Sequence, residues 1–147
     1  MPITTKVKDA MRVKVVTISP QNTVKEAIKL MTDNAIGSVV VVEAGEIAGI
    51  LTERDCIRKC LAAGKELTTK IGDVMSKPVV TVNQDASLSE AVELMRRKMI
   101  RRLPVVDKAN KLVGILTSDD VLRAIPTPAA KLTQIFGFNP FLYRPKE

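Results

Sequence analysis

The feature that most constrains this chain is a seven-residue motif that occurs twice. Gly-Ile-Leu-Thr-Glu-Arg-Asp at 49–55 returns as Gly-Ile-Leu-Thr-Ser-Asp-Asp at 114–120. In each copy, an apolar run suited to a β-strand leads to a Thr whose side chain can accept the backbone N–H of the Asp three residues later. A carboxylate in the first helical turn also interacts favourably with the helix dipole. The motif therefore predicts two strand-to-helix turns of the same construction.

Longer blocks around the motif recur in the same order. Capping boxes occupy 23–26 and 87–90, and apolar runs suited to buried strands follow at 39–42 and 103–106. Each block predicts the element order β-α-β-β-α, so the expected fold class is α/β (α+β). Because a three-stranded sheet with helices on one face leaves its other face uncovered, we expect the two blocks to pair by pseudo-twofold symmetry.

These blocks divide the chain into two repeats and a tail. We predict a first repeat at 1–70 with its core at about 8–63, a second repeat at 71–127 and an aromatic C-terminal tail at 128–147. Apolar spacing predicts helices at about 24–33, 53–63 and 118–125. The tail holds every aromatic residue of the chain, and we expect it to dock on its own module or on a second subunit.

The composition argues against an enzyme. The 147 residues include no His, and neither a P-loop nor a glycine-rich dinucleotide turn is present, so no catalytic residue and no cofactor are expected. Cys56 and Cys60 lie four residues apart on a predicted helix, where disulfide geometry is poor, and two thiolates alone do not hold zinc. We therefore predict no metal site and interpret both cysteines as small buried residues.

Charge and apolar patterning indicate the expected surroundings of the protein. The net charge of +7 favours anionic partners, and a basic cluster lies at 96–102. No basic start is followed by an apolar block, and the apolar runs are too short for a bilayer. We expect a cytoplasmic protein with no membrane partner.

Three features of each half together resemble a known family. They are the short strand that ends in Thr17 or Thr81, the strand entry at 36–42 or 100–107, and Gly-Ile-Leu-Thr-x-x-Asp. In this combination the chain resembles a tandem pair of CBS (cystathionine-β-synthase-type) domains, which form a Bateman module. The resemblance implies a non-enzymatic module that binds adenosine-containing ligands in clefts between the repeats and reports to a partner protein.

The resemblance also implies which residues bind the ligand. Asp55 and Asp120 would accept hydrogen bonds from the two ribose hydroxyls, since a carboxylate offers two acceptor oxygens. One site would comprise Thr52, Arg54, Asp55, Thr81, Ala86, Ile100, Arg101 and Arg102. The other would comprise Thr17, Asn22, Ile36, Gly37, Ser38, Thr117 and Asp120.

The two implied sites differ in charge. The Asp55 site would gain Arg101 and Arg102, where the other site has Gly37 and Ser38. An arginine fork binds phosphate oxygens in parallel hydrogen bonds. We therefore expect the Asp55 site to prefer the more highly phosphorylated nucleotide, AMP, ADP and ATP being the favoured ligands.

Several alternatives stay open at this stage. Each Thr-x-x-Asp could be a helix cap only, and the basic surface could instead bind nucleic acid, with or without nucleotide control. S-adenosylmethionine or a dinucleotide could replace AMP, ADP or ATP as the ligand. We also expect a homodimer, because residues on the helix faces are expected to be only partly covered. The residues in question are Leu30, Met31, Leu94, Met95 and Met99.

Overall fold

The computed structural model describes residues 5–124, which form two compact units. The first unit runs from Val15 to Val80. The second unit combines the residues up to Lys14 with those from Thr81 onward. The predicted tail at 128–147 lies outside the described residues.

The helices and strands follow the predicted order. In chain order they are α1 (Val7–Ala10), β1 (Thr17–Ile18), α2 (Val24–Asp33), β2 (Ser38–Glu43), β3 (Glu46–Thr52), α3 (Glu53–Asp55), β4 (Val82–Asn83), α4 (Leu88–Lys98), β5 (Arg102–Val106), β6 (Leu112–Thr117) and α5 (Ser118–Ala124). α3 continues as a π-helix at Cys56–Leu61, and a 3₁₀ turn lies at Ile71–Asp73. The prediction of an α/β fold with two β-α-β-β-α repeats is confirmed.

The first unit is built on a three-stranded sheet in the order β1-β2-β3. β2 is parallel to β1 and antiparallel to β3. The β2–β3 hairpin turns through Ala44 and Gly45, whose φ angles of 50° and 79° suit the left-handed turn that a tight hairpin needs. The side chains of Val39, Val40 and Val41 are completely buried, as a β-branched run in a central strand predicts.

The second unit repeats this arrangement with β4-β5-β6. β5 is parallel to β4 and antiparallel to β6. The α4 helix begins with a complete capping box, in which Ser87 and Glu90 satisfy each other's backbone N–H groups. Met99 ends this helix in the left-handed conformation with φ 55°.

Each unit also contains a short stretch from the other predicted sequence repeat. These stretches are residues 71–80 in the first unit and the residues up to Lys14 in the second, and we call them the added segments. In the first unit, the N–H and C=O groups of Ser76 pair with those of Ile50 at N–O distances of 2.8 and 3.1 Å. In the second unit, Arg12 and Ile115 pair in the same way, both at 2.9 Å. The compact units therefore divide the chain at 14/15 and 80/81, whereas the sequence repeats predicted at 1–70 and 71–127 divide it between 70 and 71.

Two local details differ from the sequence-based expectation. The helix expected over about 53–63 is α-helical only to Asp55, and its later hydrogen bonds, such as Ala62 N–H to Ile57 C=O at 2.8 Å, span five residues. The capping box expected at 23–26 is half formed. Thr23 accepts the Glu26 N–H, but the Glu26 carboxylate accepts from the Asn22 amide instead. In the part of the chain that the structure describes, no helix has the length and apolar character needed to cross a membrane.

The close approach of the added segments depends on two glycines. A Cβ atom built on Gly49 would lie 2.5 Å from the Met75 sulfur, and one on Gly114 would lie 2.5 Å from the Met11 sulfur. A Cβ on Gly114 would also lie 2.9 Å from the Arg12 carbonyl oxygen. We expect Gly49→Ala and Gly114→Ala each to lower the free energy of unfolding by about 1–3 kcal/mol, because the segment must shift.

The measurement is chemical denaturation, with Gly72→Ala as the matched control. A Cβ on Gly72 meets only Pro20 atoms at 3.4 and 3.5 Å, so this change should be neutral or slightly stabilising. If all three variants are equally stable, the tight approach at the third strand of each sheet is not a constraint on the fold.

Candidate functional site

The repeated motif of the first unit forms the predicted strand-to-helix cap. The Thr52 hydroxyl accepts the backbone N–H of Asp55 at 3.1 Å, and Asp55 Oδ2 accepts the backbone N–H of Thr52 at 3.1 Å. Asp55 is only 7% exposed. The cap interpretation of this motif is therefore confirmed as a description of its geometry, and it occupies one oxygen of the carboxylate.

The Asp55 carboxylate also binds side chains from further along the chain. Ser76 Oγ lies 3.1 Å from Asp55 Oδ1 and 3.2 Å from Oδ2, and Lys59 Nζ lies 3.2 Å from Oδ1. Lys59 Nζ also donates to Ser76 Oγ at 3.0 Å. The carboxylate thus connects α3, the π-helix that follows it, and the segment that pairs with β3.

The second unit repeats the cap with Thr117 and Asp120. Asp120 Oδ2 accepts both the backbone N–H and the hydroxyl of Thr117, each at 2.9 Å. The Asp120 backbone N–H lies 3.2 Å from the Thr117 hydroxyl oxygen. Asp120 is 5% exposed, so this carboxylate is as deeply buried as its counterpart.

The second oxygen of Asp120 binds two arginines. Arg12 Nε lies 3.1 Å from Asp120 Oδ1, and Arg123 Nη2 lies 2.5 Å from it. Burial raises the pKa of Asp120, but the hydrogen bonds from Thr117, Arg12 and Arg123 outweigh it and hold that pKa below its ordinary value. Asp120 is therefore an ionised, buried carboxylate with a cationic surround.

These side-chain donors are the functional candidates that the sequence analysis missed. Arg12 and Ser76 occupy equivalent positions, each directly after the Met of its added segment. The sequence alone gives no sign that these two positions approach the carboxylates. Arg123 and Lys59 lie three and four residues after their Asp, and helical residues at these spacings are neighbours, so the signal for both was present.

In the first unit, several other predicted residues adjoin the cap. Ser38 lies opposite Thr52 in the β2–β3 pair, and the Gly37 carbonyl accepts the Glu53 N–H at 3.0 Å. Thr17 begins β1 and pairs with Val40 in β2. The remaining predicted residues of this unit have separate roles or surroundings. The Asn22 amide oxygen accepts the Ser19 N–H at 3.2 Å, Ile36 is half-buried, and Arg54 is exposed on α3.

The second unit places the matching residues around Thr117. Arg102 lies opposite Thr117 in the β5–β6 pair, and the Arg101 carbonyl accepts the Ser118 N–H at 2.9 Å. Ile100, which precedes them, is half-buried. Thr81 directly precedes β4, and the Ala86 carbonyl accepts the Val7 N–H at 2.9 Å.

The resemblance combined residues of different units in each site. It assigned Thr81, Ala86, Ile100, Arg101 and Arg102 to Asp55, which belongs to the first unit. That combination stays a prediction, as does the combination of Asp120 with residues of the first unit. Within its own unit, each carboxylate lies beside its cap Thr. The two residues where the neighbouring strand begins, Gly37 and Ser38 or Arg101 and Arg102, adjoin that Thr and the residue after it.

The two cysteines follow Asp55 in the chain and are both buried, so neither is exposed to react. Burial and the nearby Asp55 charge raise the pKa of Cys56 to about 11, so its thiol stays protonated at neutral pH. Cys60 is fully buried and its thiol lies 3.4 Å from the Glu66 carbonyl oxygen. The prediction that both cysteines are small buried residues is confirmed.

Comparison with known proteins places this geometry in a family. The family model described as CBS domain matches residues 7–62 and again 71–127. Together the two matches cover more than half of the chain.

Individual relatives agree with the family match. The chain is 43% identical to the CBS domain-containing protein YhcV of Bacillus subtilis over 115 residues, which is 78% of this chain and 81% of that protein. It is 44% identical over 130 residues, 87% of the chain, to an uncharacterised protein of Methanopyrus kandleri, but spans 66% of that protein. It is 40% identical over 117 residues, 79% of the chain, to the inosine-5′-monophosphate dehydrogenase of Methanocaldococcus jannaschii, but spans only 23% of that enzyme.

A solved structure matches the fold as well as the sequence. It is the CBS domain pair crystallised in complex with 5′-methylthioadenosine and S-adenosyl-L-methionine. The TM-score is 0.75 at 32% identity, and the match covers 83% of this chain and 95% of that one.

The lowered pKa of Asp120 predicts how stability depends on pH. A carboxyl whose pKa is lower in the folded than in the unfolded chain stabilises the fold above its unfolded pKa of about 3.9, and this contribution is lost as the pH falls through the folded pKa. We expect Asp120→Asn to be less stable than the wild type at pH 7. The difference in free energy of unfolding should shrink steadily below about pH 4.

Chemical denaturation between pH 7 and pH 3 measures this difference. The matched control is Asp33→Asn, which removes an exposed carboxylate paired with Lys29 and should change stability little at any pH. A stability difference for Asp120→Asn that stays constant down to pH 3 would contradict the assignment of a stabilising charge to Asp120.

Proposed function

The chain belongs to the CBS domain family, with two such domains in tandem, and from this premise we propose that it is a regulatory module that binds an adenosine-containing ligand. The favoured ligands are AMP, ADP and ATP, with no other cofactor required. Ligand binding would be reported to a regulated protein partner. Modules of this family are regulatory rather than catalytic, and relatives made chiefly of such domains are named for the domain alone.

The observation that carries the proposal is the pair of buried carboxylates at equivalent positions. Asp55 and Asp120 each hold one oxygen in a cap, while the other faces side chains that are themselves partly exposed. A carboxylate oxygen of this kind is a suitable acceptor for a vicinal diol such as that of ribose. Both ligands of the matched CBS domain pair contain adenosine, which supports a nucleoside as the recognised group.

The phosphate contacts are proposed from the resemblance. Arg101 and Arg102, with Arg54, would bind phosphates at the Asp55 site, where Gly37 and Ser38 are the counterparts at the other site. This contrast predicts that the Asp55 site prefers ATP or ADP to AMP. Asp119 adds a negative charge next to Asp120, but Arg12 and Arg123 lie within hydrogen-bond distance of the Asp120 carboxylate and offset that charge.

A binding assay with two substitutions tests the proposal. Asp55→Ala and Asp120→Ala should each weaken binding of adenosine ligands by about 1.5–3 kcal/mol, the usual worth of hydrogen bonds to a charged group. Isothermal titration with AMP, ADP, ATP, S-adenosylmethionine and a dinucleotide measures the loss and identifies the ligand class. Because both residues also cap helices, each variant should lose about 0.5–2 kcal/mol of stability without ligand.

The matched control separates capping from binding. Glu90 is the cap carboxylate of α4 and lies outside the repeated motif, so Glu90→Ala should lower stability in the same way but leave ligand affinity unchanged. Unchanged affinity in the two Asp variants, with the same stability loss as Glu90→Ala, would show that the motif is a cap and nothing more.

The alternative function, nucleic-acid binding through the basic surface, has weaker support. Arg96 is paired with Glu93 at 2.6 Å on the exposed side of α4, which leaves less of the basic cluster available for phosphates. Titration with DNA or RNA beside the nucleotide panel discriminates the two functions. Salt-sensitive binding of nucleic acid, without Asp-dependent binding of nucleotides, would favour the alternative.

We also propose that the module forms a homodimer through its helix faces. Met31 and Met95, expected to be partly covered, are instead buried at 3% and 2% exposure, because both side chains pack into the cores. The proposal therefore rests on Leu30 and Leu94, which are half-buried, and on Met99, which is 71% exposed.

Light scattering at micromolar concentration should give twice the mass of one chain. Met99→Asp should shift the equilibrium toward the monomer, because it would place a charge in an apolar interface. Val13→Asp changes a side chain that is 75% exposed and belongs to neither α2 nor α4, so it should leave the dimer intact. A wild-type protein that stays monomeric would reject the proposal.

A further inference from the structure

One oxygen of the Asp120 carboxylate binds two residues that lie outside the repeated motif. Oδ1 accepts from Arg12 Nε at 3.1 Å and from Arg123 Nη2 at 2.5 Å, while Oδ2 accepts two hydrogen bonds from Thr117. A carboxylate has about four acceptor positions, so all of them are filled. A ribose hydroxyl that donates to Asp120 must therefore displace one of these donors.

Arg12 is the donor best placed to leave. The Thr117 bonds form the helix cap, and Arg123 lies on the same helix as Asp120, three residues away. Arg12 comes from the added segment, and its side chain is 58% exposed to water. The position of its backbone is fixed separately by the two hydrogen bonds with Ile115, so its side chain can move without releasing the segment.

Displacement of Arg12 has a different outcome for different ligands. A neutral hydroxyl that replaces a guanidinium on Oδ1 exchanges an ion pair for a hydrogen bond in which only the acceptor is charged. An uncharged ligand provides no anionic partner for the displaced guanidinium, and a cationic ligand repels it. A phosphate next to the ribose offers oxygens that a guanidinium can bind through two parallel hydrogen bonds.

We propose that Arg12 is a specificity-determining residue of the Asp120 site. When a nucleotide binds, the Arg12 guanidinium leaves Asp120 Oδ1 and binds the ligand phosphate instead. The site is therefore selective for phosphorylated nucleosides. This inference rests on the proposed function, since it presupposes that Asp120 binds a ribose. It adds a class of ligand that the site rejects, namely nucleosides without a phosphate, such as adenosine and 5′-methylthioadenosine.

The first unit provides an internal contrast. The residue equivalent to Arg12 is Ser76, whose neutral hydroxyl lies 3.1 Å from Asp55 Oδ1. Displacing a hydroxyl from a carboxylate releases no charged group that needs a new partner. The Asp55 site should therefore discriminate less between a nucleoside and its phosphate through this position.

The test uses Asp55→Ala protein, in which only the Asp120 site retains its carboxylate. Isothermal titration with AMP, adenosine and 5′-methylthioadenosine gives the ratio of affinities for AMP and adenosine. Arg12→Ser, which copies the first unit, should lower this ratio about tenfold, the equivalent of one charge-assisted hydrogen bond. Adenosine and 5′-methylthioadenosine should bind as well as before or more tightly, because the competitor for Oδ1 is gone. Arg12→Lys keeps the charge but not the two parallel hydrogen bonds, so it should restore the ratio only in part.

The matched control removes the same charge elsewhere. Arg96→Ser replaces an exposed arginine whose partner is Glu93, so it should leave the ratio nearly unchanged. An equal loss of affinity for all three ligands in Arg12→Ser, or an unchanged ratio, would overturn the role of Arg12 while Asp120-dependent binding still supports the proposed function. If none of the three ligands binds in an Asp120-dependent way, the proposed function of this site fails and the role of Arg12 fails with it.

Discussion

One buried carboxylate organises each unit, because it caps a helix and also binds a side chain of the added segment. At Asp55 and Asp120, Oδ2 satisfies the backbone N–H of the preceding Thr and so fixes where the strand ends and the helix begins. The carboxylate also binds a side chain of the added segment. Arg12 contacts Oδ1 of Asp120, and Ser76 contacts both oxygens of Asp55. A buried carboxylate requires such partners, because an unpaired charge away from water is strongly unfavourable. Cap and ligand acceptor are therefore compatible roles of the same residue, and a loss of stability alone cannot identify either one.

The residue that reaches Oδ1 is positioned by a chain of steric requirements. Gly114 lacks the Cβ that would meet the Met11 sulfur, so the segment can lie against β6 and pair with Ile115 through its backbone. Gly49 and Met75 do the same beside β3. The glycine of the repeated motif thus has a defined function: it admits the segment, and the residue directly after the Met of that segment then lies beside the carboxylate.

Sequence patterns predicted what is encoded locally and missed what is encoded by pairing over long distances. The β-branched run at 39–42 and the reciprocal caps predicted β2 and the starts of α3, α4 and α5, because these depend on neighbours within four residues. The exchange of segments between repeats has no such signal. It rests largely on backbone hydrogen bonds, such as those of Ser76 and Arg12, and any non-proline residue can form them. The sequence also did not predict that α3 continues as a π-helix, because the apolar spacing of Cys56–Leu61 is that of an ordinary helix.

The same separation of backbone and side chain explains how two equivalent sites can differ. The added segment is held by its main chain and by the Met beside each glycine, so its backbone keeps the same place whichever polar side chain follows the Met. A duplicated module can therefore carry Arg at this position in one unit and Ser in the other without changing either sheet. The carboxylate acquires a charged competitor in one unit and a neutral one in the other. Ligand class is then set at a position whose side chain packs into neither core, which makes the two sites independently variable within one fold.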